Sequence, residues 1–306
     1  TNLAAGLKVF MGASTGDMLV DDPDTLEDIF KYCPINIVTH CEDTPTILKN
    51  EKIFAEKYGE DLSAIHHPYI RDNISCYLSS SMAIDLAKRH DANLHVLHLT
   101  TKKEMDQFVS GEIDSKKITA EVCVHHLWFS DKDYKDKQSF IKWNPAIKTE
   151  EDRDGLWDSL LDDRIDVIAT DHAPHTLEEK SKPYLDCPSG GPLVQHALVS
   201  MIQHHLNNKI SLEKIVTKMC HNPAILFQIS KRGYVREGYY ADLVLIDINK
   251  SWTVNKDNIL YKCNWSPFEG VQFDSKITHT IVNGKIVYEN GLFNSTLCGK
   301  KLTFNR

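Results

Sequence analysis

Ile165-Asp166-Val167-Ile168-Ala169-Thr170-Asp171 is a β-branched run that closes on a carboxylate, and it leads straight into His172-Ala173-Pro174-His175-Thr176. In a parallel sheet the carboxyl ends of the strands share one rim, so a polar residue closing an apolar run is a candidate for chemistry. Four runs upstream read the same way: 7–11 (LKVFM), 35–40 (INIVTH), 94–99 (LHVLHL) and 118–124 (ITAEVCV). His40 and His98 close or nearly close theirs, and Lys8 lies within the first.

Helical patterns alternate with these five runs, at 24–32, 44–58, 75–90, 101–111, 151–162 and 192–206. Short strands alternating with longer helices predict an α/β fold with a parallel sheet. From Gly233 the texture changes to hairpin-like β, with Asn283-Gly284 between two alternating runs as a two-residue turn signal. The expected division is an α/β part over 1–232 and a small β-rich module over 233–306.

The 306 residues suffice for a sizeable core, and 42% apolar with 25% charged residues is the balance of a folded soluble chain. A net charge of −8 argues against a nucleic-acid or anionic-membrane binder. No apolar stretch is long enough to span a membrane, and the first residues lack a signal-peptide pattern, so a cytoplasmic location is expected. The eight cysteines include no C-x-x-C pair and read as reduced thiols.

Two imidazoles, a carboxylate and a lysine at strand ends do not make a nucleophile triad, since no Ser or Cys holds a comparable place. Histidines with an aspartate point to a zinc-type hydrolytic site instead. Lys8 would repel zinc as an ammonium, and it becomes a ligand only as a carbamate. The adjacent pairs His66-His67 and His125-His126 are read as diverging on strands, outside the ligand set.

These residues resemble the amidohydrolase superfamily, specifically its cyclic-amidase branch of dihydroorotases, hydantoinases and allantoinases, with the class I dihydroorotases most similar. Gly6-Leu7-Lys8-Val9-Phe10-Met11 looks like the segment whose carboxylated lysine bridges two metals. Thr39-His40-Cys41-Glu42-Asp43 and Leu97-His98-Leu99-Thr100 are similar to the segments supplying two histidine ligands, and Asp171-His172-Ala173-Pro174-His175 to the segment carrying the catalytic aspartate. Asn144-Pro145-Ala146 resembles a substrate-contacting segment, and Cys187-Pro188-Ser189-Gly190-Gly191 a loop closing over a pyrimidine ring. The resemblance implies a (β/α)8 barrel of the TIM type, here strands four to eight, with a C-terminal β module.

It further implies two zinc ions held by Lys8, His40, His98 and Asp171, with Asp171 also the proton carrier. Asn144, His175, Ser189 and Gly190 would contact the substrate, the last two through backbone hydrogen bonds, and His172 is either a support or merely packed. The implied activity is reversible hydrolysis of dihydroorotate to carbamoyl aspartate, on a small-molecule substrate, with a homodimer as the candidate assembly. Rival readings are a hydantoinase or dihydropyrimidinase, and a non-catalytic scaffold subunit. The family's strand-one His-x-His and substrate-gripping Arg have no counterpart, because the sequence contains no His-x-His. The expectation is therefore that about a third of the protein precedes Thr1, and that this chain alone is inactive.

Overall fold

The computed structural model describes residues 3–12, 18–294 and 299–306. Five parallel strands form one sheet in sequential order: β1 (Leu7–Phe10), β2 (Ile37–His40), β3 (Leu94–Val96), β4 (Ile118–Cys123) and β5 (Val167–Ala169). Leu7 pairs with Ile37, Ile37 with Leu94, Leu94 with Ile118, and Glu121 with Val167, so all five carboxyl ends lie at one rim. The central strands are buried on both faces, as a parallel sheet covered by helices requires. Among the described residues β1 and β5 are the edges, and β1 leaves Leu7 and Lys8 exposed.

Helix α1 (Pro23–Tyr32) starts where the Asp22 carboxylate accepts the Thr25 amide and Pro23 presets the first turn. Its Leu26 and Phe30, one turn apart, are buried in the core and contribute about 1.5–3 kcal/mol each. Helix α2 (Thr44–Tyr58) is capped by Asp43 in the same manner, and α3 (Asn73–His90) by Asp72. Past β4 come the single turn α4 (Val124–Trp128) and then α5 (Glu150–Leu161). Helix α6 (Ala197–Leu206) follows β5.

Two expected helices are shorter. The 101–111 pattern forms only a 3₁₀ turn at Lys103–Gln107. Its buried apolar residues are Met105, Phe108 and, further on, Ile113, a spacing that suits i,i+3 turns and offers no continuous helical stripe. The 192–206 helix begins at Ala197, after a turn in which the His196 amide donates to the Leu193 carbonyl at 3.0 Å.

Beyond Gly233, β6 (Leu243–Asp247), β9 (Lys276–Val282), β10 (Lys285–Glu289) and β11 (Leu292–Phe293) form an antiparallel sheet ordered β11-β10-β9-β6. Asn283 and Gly284, both at positive φ, turn β9 into β10 as the sequence predicts. Between these strands, β7 (Trp252–Thr253) and β8 (Gln272–Phe273) pair with each other. Val254, Ile259, Phe268 and Phe273 return to join the α/β core, which is one contiguous cluster running back to Val9. Among the described residues, no helix is long and apolar enough to cross a membrane.

Candidate functional site

His40 is the last residue of β2, while His98 and Asp171 stand two residues beyond β3 and β5. Both of the latter turn away from their strands in the left-handed region, at φ +39° and +47°. The parallel register brings the histidines together: His40 Nδ1 lies 3.1 Å from His98 Nε2, with both rings buried. Burial, with His40 and Lys8 adding to it, holds the His98 pKa well below the usual imidazole range, so its ring is neutral with a free lone pair. Two nitrogen ligands of one tetrahedral zinc sit about 3.3 Å apart, given Zn–N bonds of about 2.0 Å. The converging pair therefore fits a shared cation, and His98 Nδ1 is buried with no hydrogen-bond partner.

Asp171 meets solvent at the rim, yet the surrounding protein raises its pKa. Burial is the main cause; His40 and Lys8 oppose it and Glu121 adds to it. Lys8 is also exposed, in the middle of β1 rather than at its end, with its Nζ 4.7 Å from the Phe10 ring centroid. Burial of its amine by neighbouring protein lowers its pKa, against the pull of Asp171 and Glu121. Asp171 thus feels both His40 and Lys8, and His98 feels the same two groups.

Two carboxylates that the sequence reading missed support this group. Glu42, two residues past His40, is fully buried with Oε2 3.1 Å from His40 Nε2, and Arg71 pairs with the same oxygen. Burial pushes the Glu42 pKa up, but Arg71 and His40 outweigh it and hold the group below the usual carboxylate range. Glu121 on β4 accepts the His98 amide (3.3 Å) and faces His95 Nε2 (3.3 Å). A carboxylate on the far nitrogen of a ligand histidine fixes its tautomer and orientation. The His-x-Glu spacing at 40–42 was the available signal.

The other expected residues line the loops beyond. Asn144 follows Trp143 in a cis Asn144-Pro145 segment, and its Oδ1 is buried without a partner. His175 Nε2 lies 3.1 Å from the Ser189 carbonyl. Gly190, at φ +126°, packs so closely that a Cβ there would come within 2.6 Å of the Ala173 carbonyl. Its amide donates to the Lys142 carbonyl at 2.8 Å and its carbonyl accepts from Lys180 Nζ at 3.0 Å. This corrects one expectation: Gly190 has no free backbone donor for a substrate ring. His172 is exposed, with its Nδ1 accepting the Leu193 amide at 3.0 Å.

A second correction concerns His125-His126, which sit on α4 and not on a strand. A helical turn brings their rings to 3.9 Å between centroids, and their ligand atoms lie within 4.8 Å of each other and of Cys123 Sγ. His125 stacks on Trp143, and His126 Nε2 lies 3.3 Å from the Pro145 carbonyl. Burial keeps both imidazoles neutral, pushing His126 down to about 3. Two neutral imidazoles, with the cysteine sulfur once deprotonated, are donors suited to zinc, although burial pushes the Cys123 thiol up.

A parallel α/β sheet with histidines and an aspartate converging at its carboxyl rim defines a class of hydrolase-like folds. The chain belongs to the amidohydrolase family, which matches residues 21–287. It is 31% identical over 283 residues to the dihydroorotase of Pyrococcus horikoshii, covering 92% of this chain and 60% of that protein. It is 30% identical over 292 residues to the dihydroorotase of Methanothermobacter thermautotrophicus, covering 94% and 64%. It superposes on the L-hydantoinase (dihydropyrimidinase) of Arthrobacter aurescens with a TM-score of 0.88 at 25% identity, over 98% of this chain and 68% of that one. The chain thus spans about three fifths of the length of the curated relatives it matches.

Proposed function

We propose that this chain carries most of the active site of a dihydroorotase, a hydrolase that opens the ring amide of dihydroorotate to carbamoyl aspartate and runs the reverse condensation. The observation that supports the reading most is the convergence of His40 Nδ1 and His98 Nε2 beside Asp171 and Lys8, on strand ends of a chain whose curated relatives include dihydroorotases. In this reading the five-stranded sheet is part of a (β/α)8 barrel, and residues 233–306 form its β-rich module.

His40, His98, Asp171 and Lys8 as its carbamate would hold two zinc ions, which when bound supply Lewis acidity and lower the pKa of the attacking water. Asp171 takes the proton of that water as it adds to the ring carbonyl. As the C–N bond breaks, the same carboxyl returns the proton to the departing nitrogen. Asn144 and His175 face the substrate and orient it, with the unpartnered Asn144 Oδ1 available to a ring N–H.

A second reading, a hydantoinase or dihydropyrimidinase, is favoured by the likeness to the Arthrobacter structure. Kinetics on dihydroorotate, hydantoin and dihydrouracil separate the two: the dihydroorotase reading requires dihydroorotate to have the highest kcat/KM, and a preference for either neutral ring overturns it. In the active protein Asp171→Asn is expected to lower kcat by about 10²- to 10⁴-fold while zinc is at least partly retained. Turnover near that of the parent would remove Asp171 from its role.

A further inference from the structure

Segment 184–190 is fastened to the protein by two lysine ammonium groups for which no carboxylate partner is found among the described residues. Lys142 Nζ donates to the carbonyls of Tyr184 (2.7 Å) and Cys187 (2.5 Å). Lys180 Nζ donates to those of Pro188 (2.9 Å) and Gly190 (3.0 Å). Both lysines are buried, 6% and 1% exposed. They are also tied together, since the Lys142 carbonyl lies 3.5 Å from Lys180 Nζ and accepts the Gly190 amide at 2.8 Å. His67 adds a neutral link, with Nε2 2.6 Å from the Trp143 carbonyl and Nδ1 2.7 Å from the Tyr184 hydroxyl.

A buried ammonium with no carboxylate in contact is a costly way to stabilise a fold, and a methionine would fill the same space more cheaply. Burial lowers both amines to about 8. The charged or titratable groups acting on Lys180 are Cys187 and Lys142; those acting on Lys142 include Cys187, Arg71, Glu51 and Asp186. What an ammonium adds over an apolar side chain is direction: several donors converge on the carbonyls of one loop. That loop carries Ser189, whose carbonyl meets His175, and the residue two places after Lys142 is Asn144.

We propose that Lys142 and Lys180 are positioning residues, a buried pair of braces that fixes loop 184–190 against the Asn144 and His175 segments so that the three make one preorganised wall of the substrate site. The assignment of that wall to substrate rests on the function proposed above; the bracing itself does not.

The test combines backbone hydrogen exchange on the full chain with kinetics on dihydroorotate in the active protein, for Lys180→Met, Lys180→Arg and Lys142→Met. In both methionine variants the amides of 184–191 are expected to exchange at least about tenfold faster while β2 to β4 are unchanged. KM should rise about tenfold with kcat within about threefold, and Lys180→Arg should restore part of both effects. Unchanged exchange in that segment, or a rise spread evenly over the chain, overturns the brace. A loosened loop with an unmoved KM overturns the positioning role. A parent protein that does not turn over dihydroorotate overturns the functional reading, and exchange still decides the brace. Should Lys180→Met fail to fold, Lys142→Met carries the measurement.

Discussion

Glu42 sets the orientation of His40 from a position with no access to solvent. Its Oε2 serves both the His40 ring and the Arg71 guanidinium, and being held below the usual carboxylate range it is ionised at neutral pH. Glu42→Gln keeps the shape and removes the negative charge that both His40 and Arg71 face. Zinc affinity is expected to fall by about 10- to 100-fold, read by competition with a chelator, because the imidazole loses the acceptor that fixes its tautomer. An unchanged affinity would mean that the ring is held by its neighbours alone. Glu121 and Lys142 were hard to read in the sequence because their partners lie 23 and 45 residues away, and adjacency in the chain carries no trace of that, whereas Glu42 left the His-x-Glu spacing as its signal.

Elements were legible in proportion to their periodicity. Helix α2 spans Thr44–Tyr58 as read, since a capping Asp43, Pro45 at its start and Gly59 at its end mark both limits. Strands β3 and β5 stop short of His98 and Asp171, because positive φ at both residues turns the chain out of the sheet. Alternation of apolar residues does not report such a turn. The strand-closing residues were nonetheless found, since a parallel sheet converts position along a strand into place at a rim. At this scale α1 offers a direct test of packing. Phe30, 1% exposed, joins the apolar core where α1 packs beside α3, so Phe30→Ala should cost about 3–5 kcal/mol in urea unfolding. Asp28→Ala on the opposite face should cost less than about 0.5 kcal/mol. Equal losses would show that α1 is not held by its apolar stripe.

Across the whole molecule, neutral buried imidazoles dominate the response to acid. His67, His125, His126 and His196 all have pKa values lowered by burial, to about 3 and about 4 in the last two. Once unfolded, each takes up a proton near pH 6.5, so their stabilisation is complete above that pH and is lost as pH falls below it. Each contributes a slope of about 1.4 kcal/mol per pH unit, and urea midpoints should drop steeply between pH 7 and pH 5.5. A flat profile would mean that these rings protonate in place. The other large-scale feature is the open edge at β1, where Lys8 stands exposed with a depressed pKa. An exposed lysine whose amine is lowered from its ordinary pKa is a built-in chemical reporter. Brief reductive methylation followed by peptide mass spectrometry should modify Lys8 ahead of lysines that keep their ordinary pKa. A neighbour that pairs along this edge and covers Lys8 would lower the yield, so one labelling measurement reads how accessible the β1 edge is.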